Sequence, residues 1–187
     1  MTNILPPELQ QYADEFLQMK RESSDFLFGL SKQAFNKRPE NGGWSTAECI
    51  DHLIVTGADY SDKIEEALNI VKEKNLKYSG TMKLTWFGKK FINFVEPPVR
   101  FKSKSPRKWK PDSAINKDKA TAAYLQLQDR WVDLIIQSAD WDISKVKLPS
   151  PATKMIRFSA FEILGVNSAH QRRHLHQAKI AAGKKVN

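Results

Sequence analysis

Four long stretches of the chain repeat apolar residues at alternating steps of three and four, and this spacing, which lines one face of an α-helix, limits the fold more than any other feature. In the first stretch Leu9, Tyr12, Phe16, Met19, Phe26 and Leu30 share the stripe. Pro6 and Pro7 suit a helix start, and Pro39 with Gly42 and Gly43 breaks the pattern, so a helix is predicted over residues 8–34. In the second, Ile50, Ile54, Gly57, Ser61, Ile64, Leu68 and Val71 face inward until about residue 74. Its start is specified by a capping box, with the Ser45 hydroxyl accepting from the Glu48 N–H and the Glu48 carboxylate accepting from the Ser45 N–H. A third helix is predicted over residues 117–139, with Asn116 as cap and Tyr124, Leu127, Trp131, Leu134 and Ile135 inward. The fourth opens on a second capping box, Ser159 with Glu162, and runs to Ala182 before Gly183. Four such helices predict an all-α fold, a four-helix bundle, and the length predicts a single domain over residues 1–187.

The connections refine this. The second-to-third link is roughly 40 residues and the third-to-fourth roughly 20, far longer than an up-down-up-down bundle needs. A long crossover leaves helices two and three parallel and helix four antiparallel to helix two. Within the long link, LTWFGKKFINFVEPP predicts a short helix ended by Pro97 and Pro98. It has two readings, a membrane-surface helix or a lid in which Trp86, Phe87, Phe91 and Phe94 cover one end of the core, and the lid is favoured. KVKLPSP and TKMIRFS, near residues 145–159, predict at most a small hairpin.

Thirty Lys and Arg against 21 Asp and Glu leave a net charge of +9, which attracts anions at long range. Arg100, Lys102, Lys104, Arg107, Lys108 and Lys110 crowd into RFKSKSPRKWK, a run read first as a solvated loop. No signal peptide and no run of eighteen apolar residues is present, and Cys49 stands alone, so a soluble, cytoplasmic protein with no membrane partner is expected. Cys49 is expected as a small buried apolar residue. No Ser-His-Asp arrangement, phosphate-binding glycine loop or dinucleotide fingerprint appears, so nucleophilic side-chain catalysis has no support.

The chain has four histidines. His170 and His174 are one turn apart on one face of helix four, close enough for both imidazoles to reach one ion. On a helical wheel they share a stripe with Ile163, Asn167, Gln177 and Ala181, beside an apolar stripe through Phe161, Leu164, Leu175 and Ala178. His176 projects well over about 100° away and is expected at the surface. His52 remains as a third ligand, lying to the side of its helix's apolar stripe, a position that suits a cleft open to solvent. With helices two and four antiparallel, His52 lies roughly 10 Å from the start of its helix and the pair roughly 12 to 18 Å from the end of theirs, compatible heights. Three imidazoles suit zinc, nickel or a similar first-row ion and leave a coordination position open. Glu48, one turn before His52, has two readings, a general base or a capping residue, and the cap is favoured. Gln177 extends the histidine stripe by a turn and is a candidate ligand contact.

These residues also carry a resemblance. NGGWSTAECIDHL resembles the Gly-Trp-Ser/Thr…His-Leu signature of the DinB-like superfamily, with its YfiT branch of metal-dependent hydrolases, and AHQRRHLHQ resembles that family's C-terminal His-x-x-x-His segment. The resemblance implies His52, His170 and His174 as metal ligands and a four-helix bundle in up-down-down-up order, often a homodimer. It further implies chemistry on small molecules, as in relatives that are hydrolases, isomerases or transferases using a low-molecular-weight thiol such as bacillithiol or mycothiol.

Three functions follow as expectations: a metal-dependent enzyme, hydrolase or low-molecular-weight-thiol S-transferase; a non-catalytic metal or small-molecule binding stress protein; and, least favoured, nucleic-acid binding through the basic link at 100–110, with Trp109 stacking on a base. No specific nucleic acid is expected as a partner, because no nucleic-acid-binding motif accompanies the charge.

Overall fold

The computed structural model describes residues 5–98, 105–112 and 115–184. It is mostly helical, with one small sheet. The elements are α1 (Pro7–Phe28), α2 (Lys32–Asn36), α3 (Thr46–Glu73), α4 (Trp86–Val95), α5 (Lys117–Gln137), β1 (Lys147–Ser150), β2 (Thr153–Ser159) and α6 (Ala160–Ala181), with single 3₁₀ turns at Arg107–Trp109 and Ile143–Lys145.

Both predicted capping boxes are present, Ser45 with Glu48 and Ser159 with Glu162, and Asn116 caps α5 by accepting from the Lys119 N–H at 3.0 Å. The first predicted helix is a correction. It is two helices, because Gly29 ends α1 and Ser31 then turns extended, its hydroxyl accepting from the Ala34 N–H at 3.1 Å to cap α2. A serine that can satisfy an orphan N–H restarts the chain in a new direction and buries Phe35. Leu27, not Phe26, is the fully buried residue near the end of α1.

Each long helix packs on two others: α1 on α5 and α6, α3 on α5 and α6. Contact positions climb together along α1 and α6 (Tyr12 with Phe161, Glu15 with Ser168, Glu22 with Lys179) and along α3 and α5 (Gly57 with Leu127, Asp62 with Arg130). They run oppositely along α3 and α6 (Thr46 with Ala178, His52 with His170) and along α1 and α5 (Phe16 with Trp131, Lys20 with Asp129). Gly57 is what admits Leu127, since a Cβ there would meet the Leu127 Cδ2 at 2.5 Å. Gly165 similarly admits both Ile92 and the Tyr12 hydroxyl, each 2.6 Å from where its Cβ would stand.

α4 lies across α6, pinned at both ends. Thr85 donates its N–H to Glu162 at 3.1 Å, and Arg172 grips Glu96, Glu15 and Ser168 together. The lid reading of α4 holds for two of its four aromatic residues and is corrected for Trp86 and Phe94. Phe91 packs against Phe158, with ring centroids 5.0 Å apart, and Phe87 stacks its inner edge there, but Trp86 and Phe94 are 72% and 54% exposed. The buried positions of α4 are Gly88 and Val95. A ten-residue helix pinned by its ends presents only one narrow stripe to the core, and that stripe runs through Gly88, Phe91, Ile92 and Val95, leaving Trp86 and Phe94 outside it. β1 and β2 form an antiparallel hairpin that feeds directly into α6. Among the described residues no helix is long and apolar enough to cross a membrane.

Candidate metal centre

His52 enters the space between α3 and α6 from the second turn of α3, where the Ser45–Glu48 box fixes the helix start and hence its height. His170 and His174 face it from successive turns of α6. One nitrogen from each ring lies within 4.8 Å of the others, and among the described residues this is the cluster able to hold a metal ion. His176 stays outside it, half-buried rather than at the surface as expected.

Hydrogen bonds on the far side of the rings decide which nitrogens point inward. The His52 Nδ1–H donates to the Trp109 carbonyl at 2.8 Å, leaving Nε2 with a lone pair 3.4 Å from His170 Nε2. The His174 Nδ1–H donates to Gln177 Oε1 at 3.1 Å, which fixes the same tautomer. Two nitrogens bound to one tetrahedral ion at about 2.0–2.1 Å lie about 3.3–3.4 Å apart, so the His52–His170 spacing fits a shared cation. His170 Nδ1 is buried and makes no hydrogen bond among the described residues. The donor set, three imidazoles without a carboxylate, suits zinc or nickel better than magnesium or calcium.

The rings stay neutral. Burial pushes the His52 pKa below its ordinary value, although the Trp109 carbonyl and Asp51 pull it back. Burial, with the neighbouring His52 and Arg173, pushes His170 down to about 3, and burial with the other two histidines holds His174 well below its ordinary value. Since folded values lie below the free value of about 6.5, the unfolded chain takes up protons first. The stability these rings contribute is therefore complete above pH ~6.5 and is lost as pH falls towards the folded values. In metal-free protein the melting temperature is expected to drop between pH ~6.5 and ~5, less steeply in His170→Gln. Equal slopes would show that the cluster does not titrate on unfolding.

The cleft is more closed than expected. His52 is 3% exposed, and the half-buried Trp44 indole leans over the cluster, 4.9 Å from the His52 ring and stacked on His174 at 5.8 Å, centroid to centroid. Trp44 belongs to the NGGWSTAECIDHL motif, so its importance was legible, though its contact was not. Glu48 is committed elsewhere: it accepts from the Ser45 N–H at 2.9 Å and from Arg38 in a two-pronged pair. Burial raises its pKa, but Arg38 and Ser45 outweigh this and hold it below the usual carboxylate range. Cys49 is fully buried and its thiol is pushed up by burial and by Glu48.

The basic link reaches the site through its backbone. Trp109 is 5% exposed, its indole N–H donating to Asp59 at 2.8 Å beside a Lys108–Asp59 ion pair, while its carbonyl holds His52. That corrects the idea of Trp109 stacking on a base, because the ring is already packed inside. Arg100, Lys102 and Lys104 lie outside the described residues. Asp59→Ala is expected to weaken metal affinity about tenfold by loosening the Trp109 carbonyl, whereas Lys108→Ser, which leaves the indole bond intact, should change it far less. Equal affinities for Asp59→Ala and wild type, by competition with a chelator, would remove this tether.

The sequence profile of the DinB superfamily matches residues 15–178, a span that takes in α1 from Glu15 onward, the Trp44 motif, all three clustered histidines and Gln177. The chain belongs to the DinB superfamily. No curated protein and no solved structure gives a match. Membership and the three-histidine cluster together describe a DinB protein with a site that could bind a divalent metal ion.

Proposed function

We propose that this DinB protein is a metal-dependent enzyme acting on a small molecule, a hydrolase or a low-molecular-weight-thiol S-transferase, with His52, His170 and His174 holding one zinc or nickel ion. The observation that carries the proposal is the convergence of three neutral imidazoles, two of them fixed by Trp109 and Gln177 so that a lone pair points inward. When bound, such an ion supplies Lewis acidity that lowers the pKa of a water or thiol beside it. The chain's own contributions are to orient the rings, to limit access of bulk water through Trp44, and to bring anionic substrates near through its net charge of +9. Gln177 acts on His174 as a positioning residue. Glu48 acts as a helix cap.

The whole chain is read as one domain, soluble and cytoplasmic, and its long helices as a four-helix bundle in up-down-down-up order. The shared and opposed directions of the contacts along α1, α3, α5 and α6 support that order.

One observation favours a second reading. With Glu48 tied to Arg38 and Ser45 and Trp44 stacked over the rings, no carboxylate among the described residues joins the cluster as general base, and a non-catalytic metal-binding protein needs none. The test is to measure metal in protein purified without an affinity metal column, then to screen the metal-loaded protein for hydrolysis and for thiol transfer onto electrophiles. Turnover that His174→Ala abolishes is expected. Bound metal with no turnover supports the second reading, and no bound metal overturns both.

A further inference from the structure

We infer that α4 is a docking helix for an anionic phospholipid surface. Its outer stripe carries Trp86, Phe87 and Phe94, exposed by 72%, 47% and 54%, the largest cluster of exposed aromatic rings among the described residues. At 100° per residue, Trp86, Lys90, Phe94 and Phe87 fall within about 100° of the helix circumference. Lys89 and Lys90 are exposed on the same helix, Lys83 is exposed just before it, and Lys90 lies over the Trp86 ring at 4.6 Å. No acidic residue occurs in α4. The acids bonded to α4's flanks are turned to the protein: Glu162 takes the Thr85 N–H, Glu96 takes Arg172, and Glu8 takes the Met82 N–H. Aromatic rings with lysines and no carboxylates are the composition of a helix that lies in a membrane interface, its rings among the headgroups and its amines on lipid phosphates.

The size of the face decides between a lipid surface and a second copy of the chain. Trp86, Phe87 and Phe94, each with roughly 200–250 Å² of side-chain surface, together expose on the order of 400 Å², against about 800 Å² per partner in a stable dimer. A symmetric pairing through α4 would also set Lys89 and Lys90 against their own counterparts. A fluid anionic surface needs neither the area nor a complementary shape, and the pinning of α4 by Thr85 and Arg172 means that no folding cost accompanies docking. The site at His52, His170 and His174 is independent of this face.

The test is co-sedimentation of the full chain with vesicles of equimolar phosphatidylglycerol and phosphatidylcholine, and with vesicles of phosphatidylcholine alone. Binding to the anionic vesicles alone is expected, falling steeply with added salt. Replacing both lysines, Lys89→Ser with Lys90→Ser, should cost about 25-fold in partitioning, since each lysine near such a surface is worth about fivefold. Trp86→Ser with Lys90→Ser should cost about tenfold or more, and unchanged circular dichroism is expected because Trp86 and Lys90 are exposed and contact each other. His174→Ala should bind vesicles as wild type does. The inference is overturned if the anionic vesicles do not carry the protein down, if both α4 variants bind them as well as wild type, or if sedimentation equilibrium reveals a dimer that the α4 variants dissociate.

Discussion

His174→Ala is expected to lose its metal ion, falling from about one divalent ion per chain to almost none, while His176→Ala keeps it. The contrast isolates geometry from composition, because both changes remove one imidazole from the same helix, two residues apart. Only His174 has a ring nitrogen in the cluster with His52 and His170, and its ring is held there by Gln177 on one side and Trp44 on the other. Structural zinc sites are worth roughly 10–16 kcal/mol, so losing one of three ligands that share such a figure should weaken affinity on the order of 300-fold or more. The loss should also appear in stability, since an ion present at about a thousand times its Kd stabilises the native state by roughly 4 kcal/mol. Elemental analysis of the three proteins purified side by side checks the first effect, and thermal melts with and without added zinc check the second. Equal metal content in wild type and both variants would mean that the cluster is not a binding site.

How far this site could be read beforehand depends on what kind of group carries each contact. His170 and His174 were legible because an i, i+4 pair on a helix shares a face by covalent geometry alone. His52 was legible because the Ser45–Glu48 box sets where α3 begins, and it reached the other two because α3 and α6 run oppositely, as the link lengths required. Its burial was not legible. A wheel places His52 at the side of the α3 stripe, but the Arg107–Trp109 turn folds over that side and closes it. The bond that closes it comes from a backbone carbonyl, which every residue possesses and no residue type signals. The break in the first helix was missed for a related reason, since the stripe through Leu30 continues past Ser31 while the serine quietly offers its hydroxyl as a cap. For α4 the composition was read well and the facing was not: aromatic content says that a helix has apolar surface, and only the pins at Thr85 and Glu96 say which side is turned inward.

Trp131→Ala is expected to cost about 3–5 kcal/mol of folding stability, a third or more of what a domain of this kind usually has. Trp131 is fully buried on α5 and stacks on Phe16 of α1, with centroids 5.1 Å apart and planes 3° from parallel. Removing the indole leaves a cavity where α1 and α5 meet, and Phe16 loses the ring it lies on. A second variant separates packing from polarity. The Trp131 indole N–H is buried and finds no hydrogen-bond partner among the described residues, and burying such a donor unpaired costs roughly 1–3 kcal/mol. Trp131→Phe therefore gives up part of the volume but also removes the unpaired donor, so its net cost should be under about half that of the alanine variant. Urea unfolding followed by far-ultraviolet circular dichroism suits this comparison, because the fluorescence of the remaining tryptophans would change with the substitution itself. A Trp131→Phe variant as unstable as Trp131→Ala would show that the indole N–H is satisfied in solution, and that position 131 is held by polarity as much as by packing.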